Sequence, residues 1–129
     1  MIAQQFQQIA TLINGTLYGD SNVLATSVST DSRFIGVPKG VVFFALKTDK
    51  NDGHKYIPEL IKRGVNLFVV NTLPKETKGN YIVVKNTLYA LQKLAQEHRK
   101  LIKGSVIAIT GSNGKTVVKE WLFQLLSQN

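Results

Sequence analysis

Six consecutive apolar residues, Val41-Val42-Phe43-Phe44-Ala45-Leu46, constrain the fold of this chain more than any other feature. The run is far too short to span a bilayer. It shows no polar alternation, so it reads as a strand buried on both faces. Leu67 to Val70 and Tyr81 to Val84 read the same way. Between the first and second runs, Tyr56, Ile57, Leu60 and Ile61 form i, i+4 pairs on one helical face, and Gly64 is placed as a C-terminal stop. Pro58 fits that helix only in its first turn. Strand, helix and strand in this order predict an α/β domain with a mixed or mostly parallel sheet.

The flanking segments extend the pattern. Ile2, Phe6, Ile9 and Ile13 lie on one helical stripe that Asn14-Gly15 ends. Short strands are expected at Thr16–Tyr18 and Ala25–Thr30, and loops at 31–40 and 47–53. Asn86 is placed to cap a helix running to about Lys100, with Leu88, Leu91, Leu94 and Ala95 as its apolar stripe. Ser105 to Ile109 reads as another buried strand. A last helix follows, with Val118, Trp121, Leu122 and Leu125 facing a core. One strand and one helix do not complete a nucleotide-binding domain, which needs further βα units. The expected division is therefore a substrate-binding domain over 1–85, a connecting helix and linker over 86–104, and the start of a second domain over 105–129. On this reading the chain is the front part of a longer protein.

Composition narrows the function. There is no cysteine, which excludes disulfides and thiolate metal sites. No charged segment followed by an apolar stretch marks a signal peptide, so a soluble cytoplasmic protein is expected. The formal charge of +8 favours anionic partners. Most of the basic residues are scattered lysines, no basic run reaches four residues, and no aromatic stacking motif is interleaved with them, so the nucleic-acid footprint is weak. His54 and His98 read as isolated, without a carboxylate or second histidine at metal-ligand spacing.

The richest chemistry lies in Gly111-Ser112-Asn113-Gly114-Lys115-Thr116. Glycine at the first and fourth positions lets the main chain approach an anion closely, and a helix N-terminus then adds N–H donors and a favourable dipole. Lys115 supplies a charge for the β- and γ-phosphates, and the Thr116 hydroxyl is a Mg²⁺ ligand of the kind phosphate loops use. The spacing is two residues shorter than the common form of such loops. A second constellation, Ser29-Thr30-Asp31-Ser32-Arg33, follows a strand. Asp31 is placed to cap the turn, and Arg33 carries a donor fork suited to carboxylate or phosphate. Two readings stay open here: a ligand site, or a capped polar turn with Arg33 in solvent. The Thr48-to-Gly53 segment is equally divided between a base or ribose contact and a plain loop.

Together these segments resemble the Mur ligases, ATP-dependent enzymes that add amino acids to the muramoyl peptide precursor of peptidoglycan. The resemblance is carried by Thr30-Asp31-Ser32-Arg33, by Pro38 to Leu46, by Asp52-Gly53-His54-Lys55-Tyr56-Ile57 and by Thr110 to Thr116, in that order along nearly the whole chain. Gly114 to Glu120 looks most like the members that join D-alanyl-D-alanine to UDP-N-acetylmuramoyl-tripeptide, some of which are fused to an alanine racemase. The resemblance implies that Ser32, Arg33, Asp49, Lys50 and Asn51 hold the UDP moiety. It also implies that Gly111, Ser112, Asn113, Gly114, Lys115 and Thr116 bind ATP, with Lys115 catalytic and Thr116 on Mg²⁺. Where this chain has Thr48 the family commonly has glycine. The implied reaction phosphorylates the tripeptide carboxylate, and the dipeptide amine then displaces phosphate. The expected partners are those two substrates, with no nucleic acid or membrane, and the expected state is a monomer. A non-catalytic nucleotide-binding module and a small basic nucleic-acid-binding protein are the alternatives.

Overall fold

The computed structural model describes residues 1–75, 78–111 and 114–127. Its centre is a five-stranded sheet made of β2 (Thr16–Tyr18), β4 (Ser27–Ser29), β5 (Val41–Phe44), β6 (Leu67–Val70) and β7 (Asn80–Val83), in the order β2-β7-β6-β5-β4. The four strands from β4 to β7 run parallel, and β2 joins antiparallel at one edge. This is the mixed, mostly parallel α/β sheet that the apolar runs predict.

Alternation along the central strands supplies two cores. Val42, Phe44, Leu67, Val69 and Ile82 point to one face, where they meet Phe6, Ile9 and Ile13 of α1 (Phe6–Leu12) and its C-terminal end, and Ala90 and Leu94 of α3 (Thr87–Leu101). Val41, Phe43, Phe68, Val70 and Tyr81 point to the other, where α2 (Ile57–Lys62) brings Ile57 and Leu60. Phe68 anchors the second core, edge-on to Phe43 at 6.4 Å and stacked on Tyr81 at 5.3 Å. With helices on both faces the strands have no solvent side, which is why their sequences show no polar alternation. Pro58 lies in the first turn of α2, and Gly64, at φ +97°, ends that helix in the left-handed conformation.

Several local boundaries differ from those read in the sequence. The strand expected over 25–30 is two strands. β3 (Leu24–Ala25) pairs antiparallel with β1 (Gln4–Gln5), and β4 pairs with β5. Between them the main-chain N–H groups of Thr26 and Ser27 both donate to the Gly40 carbonyl, which turns the chain from one sheet to the other. Ile2 is half exposed and precedes α1, because Gln4 and Gln5 are taken by β1 and the Gln8 side chain accepts from the Gln5 N–H at the helix start. In α3 the buried stripe is Thr87, Ala90 and Leu94, with Leu91 partly covered, while Leu88 and Ala95 are exposed. Asn86 caps this helix, accepting from the Tyr89 N–H at 2.9 Å.

The larger correction concerns 105–109, expected as a buried strand. No strand forms there, and Val106 and Ile107 are each 60% exposed. Trp121, expected in a core, is 64% exposed on α4 (Lys115–Leu126), as are Leu125 and most of that helix's apolar side chains. A strand needs a neighbouring ladder and an apolar stripe needs a surface to cover it; among the described residues neither segment has one.

Gly53 sits where the segment after β5 folds back against its strand. A Cβ at this position would lie 2.9 Å from the Leu46 nitrogen and 3.0 Å from the Ala45 Cα, both main-chain atoms that cannot swing aside. Gly53→Ala is therefore expected to lower stability by about 1–3 kcal/mol in urea denaturation. Gly36→Ala, with nothing within 4 Å of the new methyl group, serves as the near-neutral control.

Candidate functional site

The segments after β4, β5 and β6 leave the sheet at the same edge, at the C-terminal ends of adjacent parallel strands. In open α/β sheets that edge is where ligands bind. A cavity of about 340 Å³ opens there, lined by Thr30, Asp31, Ser32, Arg33, Asn51 and Tyr56.

One wall is the 3-10 turn Ser32–Phe34. Asp31 caps it by accepting from the Arg33 N–H at 2.9 Å. The same carboxylate takes Arg33 Nε at 3.0 Å and Nη2 at 2.7 Å, a two-pronged pair that fixes the guanidinium beside the cavity. These Arg33 hydrogen bonds, side chain first and backbone second, hold the Asp31 carboxyl at about 2, below its ordinary 3.8. Arg33 is thus exposed, with 77% of its side chain accessible, but it is not adrift in solvent. Three of its five N–H donors point away from Asp31.

The other wall is built from the segment after β5. The Asn51 carbonyl accepts from the Thr48 N–H at 2.7 Å, and the Asn51 N–H donates to Thr48 Oγ1 at 3.1 Å, closing a tight turn. Tyr56 donates its hydroxyl to Asn51 Oδ1 at 3.3 Å, which leaves the Asn51 amide N–H groups for a ligand. The structure brings Ser32, Arg33 and Asn51 to one cavity. Asp49 and Lys50 lie on the exposed outside of the turn and do not line it. Thr30 and Tyr56 do line it; the sequence reading placed Thr30 in the constellation without a role of its own and missed Tyr56. The signal for Tyr56 was present, since it directly precedes α2 and so stands at the helix's start, yet its i, i+4 spacing assigned it to the core.

His54 is not isolated, contrary to the sequence reading. Its Nδ1 lies 2.6 Å from Asp52 Oδ1, and its Nε2 accepts from the Asn71 N–H at 3.1 Å. With Nε2 accepting, the ring proton sits on Nδ1 and is donated to Asp52. Asp52 also accepts from the His54 N–H at 3.0 Å. The backbone and then the side-chain hydrogen bond from His54 lower the Asp52 pKa. His54 therefore ties the end of the cavity loop to the C-terminal end of β6. A carboxylate two residues before a histidine was legible as a capped turn, but Asn71, its other partner, is brought by the fold.

The second sequence site is described in part. Ser112 and Asn113 lie outside the described residues. Gly114, at φ +74°, is the N-cap of α4, a conformation that disfavours any residue with a Cβ. Lys115 and Thr116 open the helix and, with Ile107, Ile109 and Lys119, line a hollow of about 200 Å³. The free N–H groups of a helix N-terminus, next to a lysine and a hydroxyl, fit a phosphate group and its Mg²⁺.

The segment 25–99 matches the family model described as the Mur ligase family, catalytic domain. The UDP-N-acetylmuramoyl-tripeptide–D-alanyl-D-alanine ligase of Haemophilus influenzae is 36% identical over 98% of this chain and 27% of its own length. The UDP-N-acetylmuramoyl-L-alanyl-D-glutamate–2,6-diaminopimelate ligase of Clostridioides difficile is 34% identical over 86% of this chain and 23% of its own length. Among solved structures, the UDP-N-acetylmuramoylalanyl-D-glutamyl-2,6-diaminopimelate–D-alanyl-D-alanyl ligase of Acinetobacter baumannii superposes with a TM-score of 0.80 at 30% identity. It covers 98% of this chain and 28% of that one. The chain thus spans just over a quarter of the length of the relatives it matches most fully. Among the described residues no helix is long and apolar enough to cross a membrane.

The pairing of Asp31 with Arg33 sets a pH dependence. Because folding depresses the Asp31 pKa, the pair's contribution is complete above about pH 4 and is lost as pH falls through about 2. A carbon-detected NMR titration should place the Asp31 midpoint near 2, and Arg33→Ala should return it toward 3.8.

Proposed function

This chain belongs to the Mur ligase family, and we propose that it is the N-terminal part of a cytoplasmic, ATP-dependent ligase that joins D-alanyl-D-alanine to UDP-N-acetylmuramoyl-tripeptide. In this reading residues 1–85 hold the UDP end of the substrate, 86–104 connect, and 105–129 begin the ATP-binding domain. The observation that carries it is the cavity in which Ser32, Arg33 and Asn51 converge at the C-terminal edge of the parallel strands.

The chemistry of the walls supports a nucleotide. Arg33 offers three directed donors to a diphosphate, Ser32 a hydroxyl, and Asn51 an amide that can read a polar base edge. Asp49 and Lys50, on the outer side of the same turn, would serve at its rim. The relatives that support the choice of dipeptide as second substrate are named for that reaction, and this chain matches 27–28% of their length. Gly111, Ser112, Asn113, Gly114, Lys115 and Thr116 would hold ATP, with the Thr116 hydroxyl on Mg²⁺. When bound, MgATP supplies the phosphoryl group that activates the tripeptide carboxylate. Lys115 would offset negative charge at the phosphates with its positive charge. Alone, the chain is expected to bind the UDP moiety without catalysing ligation, as a monomer.

Calorimetric titration with UDP-N-acetylmuramoyl-tripeptide tests the assignment. Binding is expected, with Arg33→Ala weakening it about tenfold or more, the size of one lost hydrogen bond to a charged group. Ser32→Ala should weaken it less, and single-stranded DNA should not compete. Equal binding by parent and both variants would sink the site assignment.

A further inference from the structure

Arg63 ends α2, and its side chain forms no ion pair among the described residues. Its guanidinium instead grips main chain far away in sequence. Nη1 donates to the Ser32 carbonyl, and Nη2 donates to the Ile35 carbonyl at 3.1 Å. The 3-10 turn Ser32–Phe34 lies between those two carbonyls. Asp31 therefore secures the turn through the Arg33 N–H and side chain, and Arg63 secures it through its carbonyls.

The other end of α2 matters equally. Tyr56, which immediately precedes the helix, lines the cavity and holds Asn51. The six-residue helix, about 9 Å long, thus starts in one wall of the cavity and grips the opposite wall with the residue after its last turn. Ile57 and Leu60 bury it against the sheet. It has little freedom to shift.

We infer that Arg63 is a positioning residue of the nucleotide site, with α2 as a strut that sets the spacing between the Ser32–Arg33 wall and the Asn51–Tyr56 wall. This rests on the reading of the cavity as the UDP site. Two carbonyls three residues apart need a planar fork with two separated donors. A lysine carries the same charge on a single nitrogen and reaches one of them. Arg63→Lys therefore separates bracing from charge. Arg63 is exposed, so the substitution leaves the cores intact.

The test measures UDP affinity of the 129-residue chain and its variants by calorimetry, with the thermal midpoint as a check on folding. Arg63→Lys and Arg63→Ala are both expected to weaken UDP binding by roughly five- to tenfold, the size of one ordinary net hydrogen bond. The Arg33 Nε resonance should shift in both. In an Arg33→Ala background, Arg63→Lys should cost little further affinity, because its effect runs through the turn that carries Arg33. Full affinity in Arg63→Lys with loss in Arg63→Ala would show that the charge alone matters and would overturn the inference. So would full affinity in both, or losses that simply multiply in the double variant. A parent chain that binds no UDP would overturn the nucleotide reading itself, and this inference with it.

Discussion

Everything at the candidate site depends on one constraint: four neighbouring strands run parallel, and the two at the centre, β5 and β6, are buried on both faces. Parallel pairing sends the C-terminal ends of β4, β5 and β6 to a common edge. Double burial fixes the register, because a one-residue slip would exchange the Val42–Phe44 set with the Val41–Phe43 set between two different cores. The polar segments that follow these strands are therefore delivered to one place by strand pairing and apolar packing together. Ser32, Asn51 and Asn71, widely separated in the sequence, end up within one small region without any interaction among them being needed to bring them there.

Once delivered, the segments are made rigid by short-range polar contacts. Asp31 and Asp52 play the same part. Each caps a 3-10 turn by accepting the N–H two residues on, and each then binds the side chain of that same residue, Arg33 or His54. The repeated device makes a local, sequence-encoded turn. Longer contacts then join each turn to the fold, through Arg63 to the first and Asn71 to the second. Individually such exposed bonds contribute little to stability. Their value is geometric, since donors held in place before a ligand arrives lose less freedom on binding it.

The sequence made legible most of what was locally encoded. The Val41–Leu46 run, of which Val41–Phe44 forms the strand, the Gly64 stop, Pro58 in a first turn and the Asn86 cap all depend on neighbours a few residues away, and the structure has each of them. Asp31 as a turn cap belongs with these. What depended on distant partners was read less well. The 105–109 segment and Trp121 have strand and core patterns, yet a pattern states only what a segment would do beside a partner, and none of the described residues supplies one. His54 was read as isolated although Asp52 stands two residues before it; only its second partner, the Asn71 N–H at the end of β6, depends on the fold. Arg63 carried no signal at all, for its acceptors are carbonyls, which every residue has. Asp49 and Lys50 were grouped with Asn51 by the family resemblance, whereas the turn closed by Thr48 brings Asn51 to the cavity lining and leaves the other two on its exposed side.

The two anion sites read from this chain hold their positive charge in different ways, and the difference bears on what each can do. Arg33 is paired with an ionised carboxylate, so the net charge of the Asp31–Arg33 unit is close to zero and its attraction at a distance is weak. What remains is a rigid set of donors, which rewards a ligand for shape more than for charge. Lys115 has no carboxylate partner among the described residues and stands at a helix N-terminus that reinforces its sign. Such a group responds to charge and tolerates change in position, because its ammonium is a compact point charge on a flexible stem. A directed, charge-compensated site suits a moiety that must be recognised and left unaltered. An uncompensated lysine beside free N–H groups suits phosphates whose charge is redistributed during transfer. The division of labour proposed for the two halves of this chain follows from that contrast in electrostatics as much as from any motif.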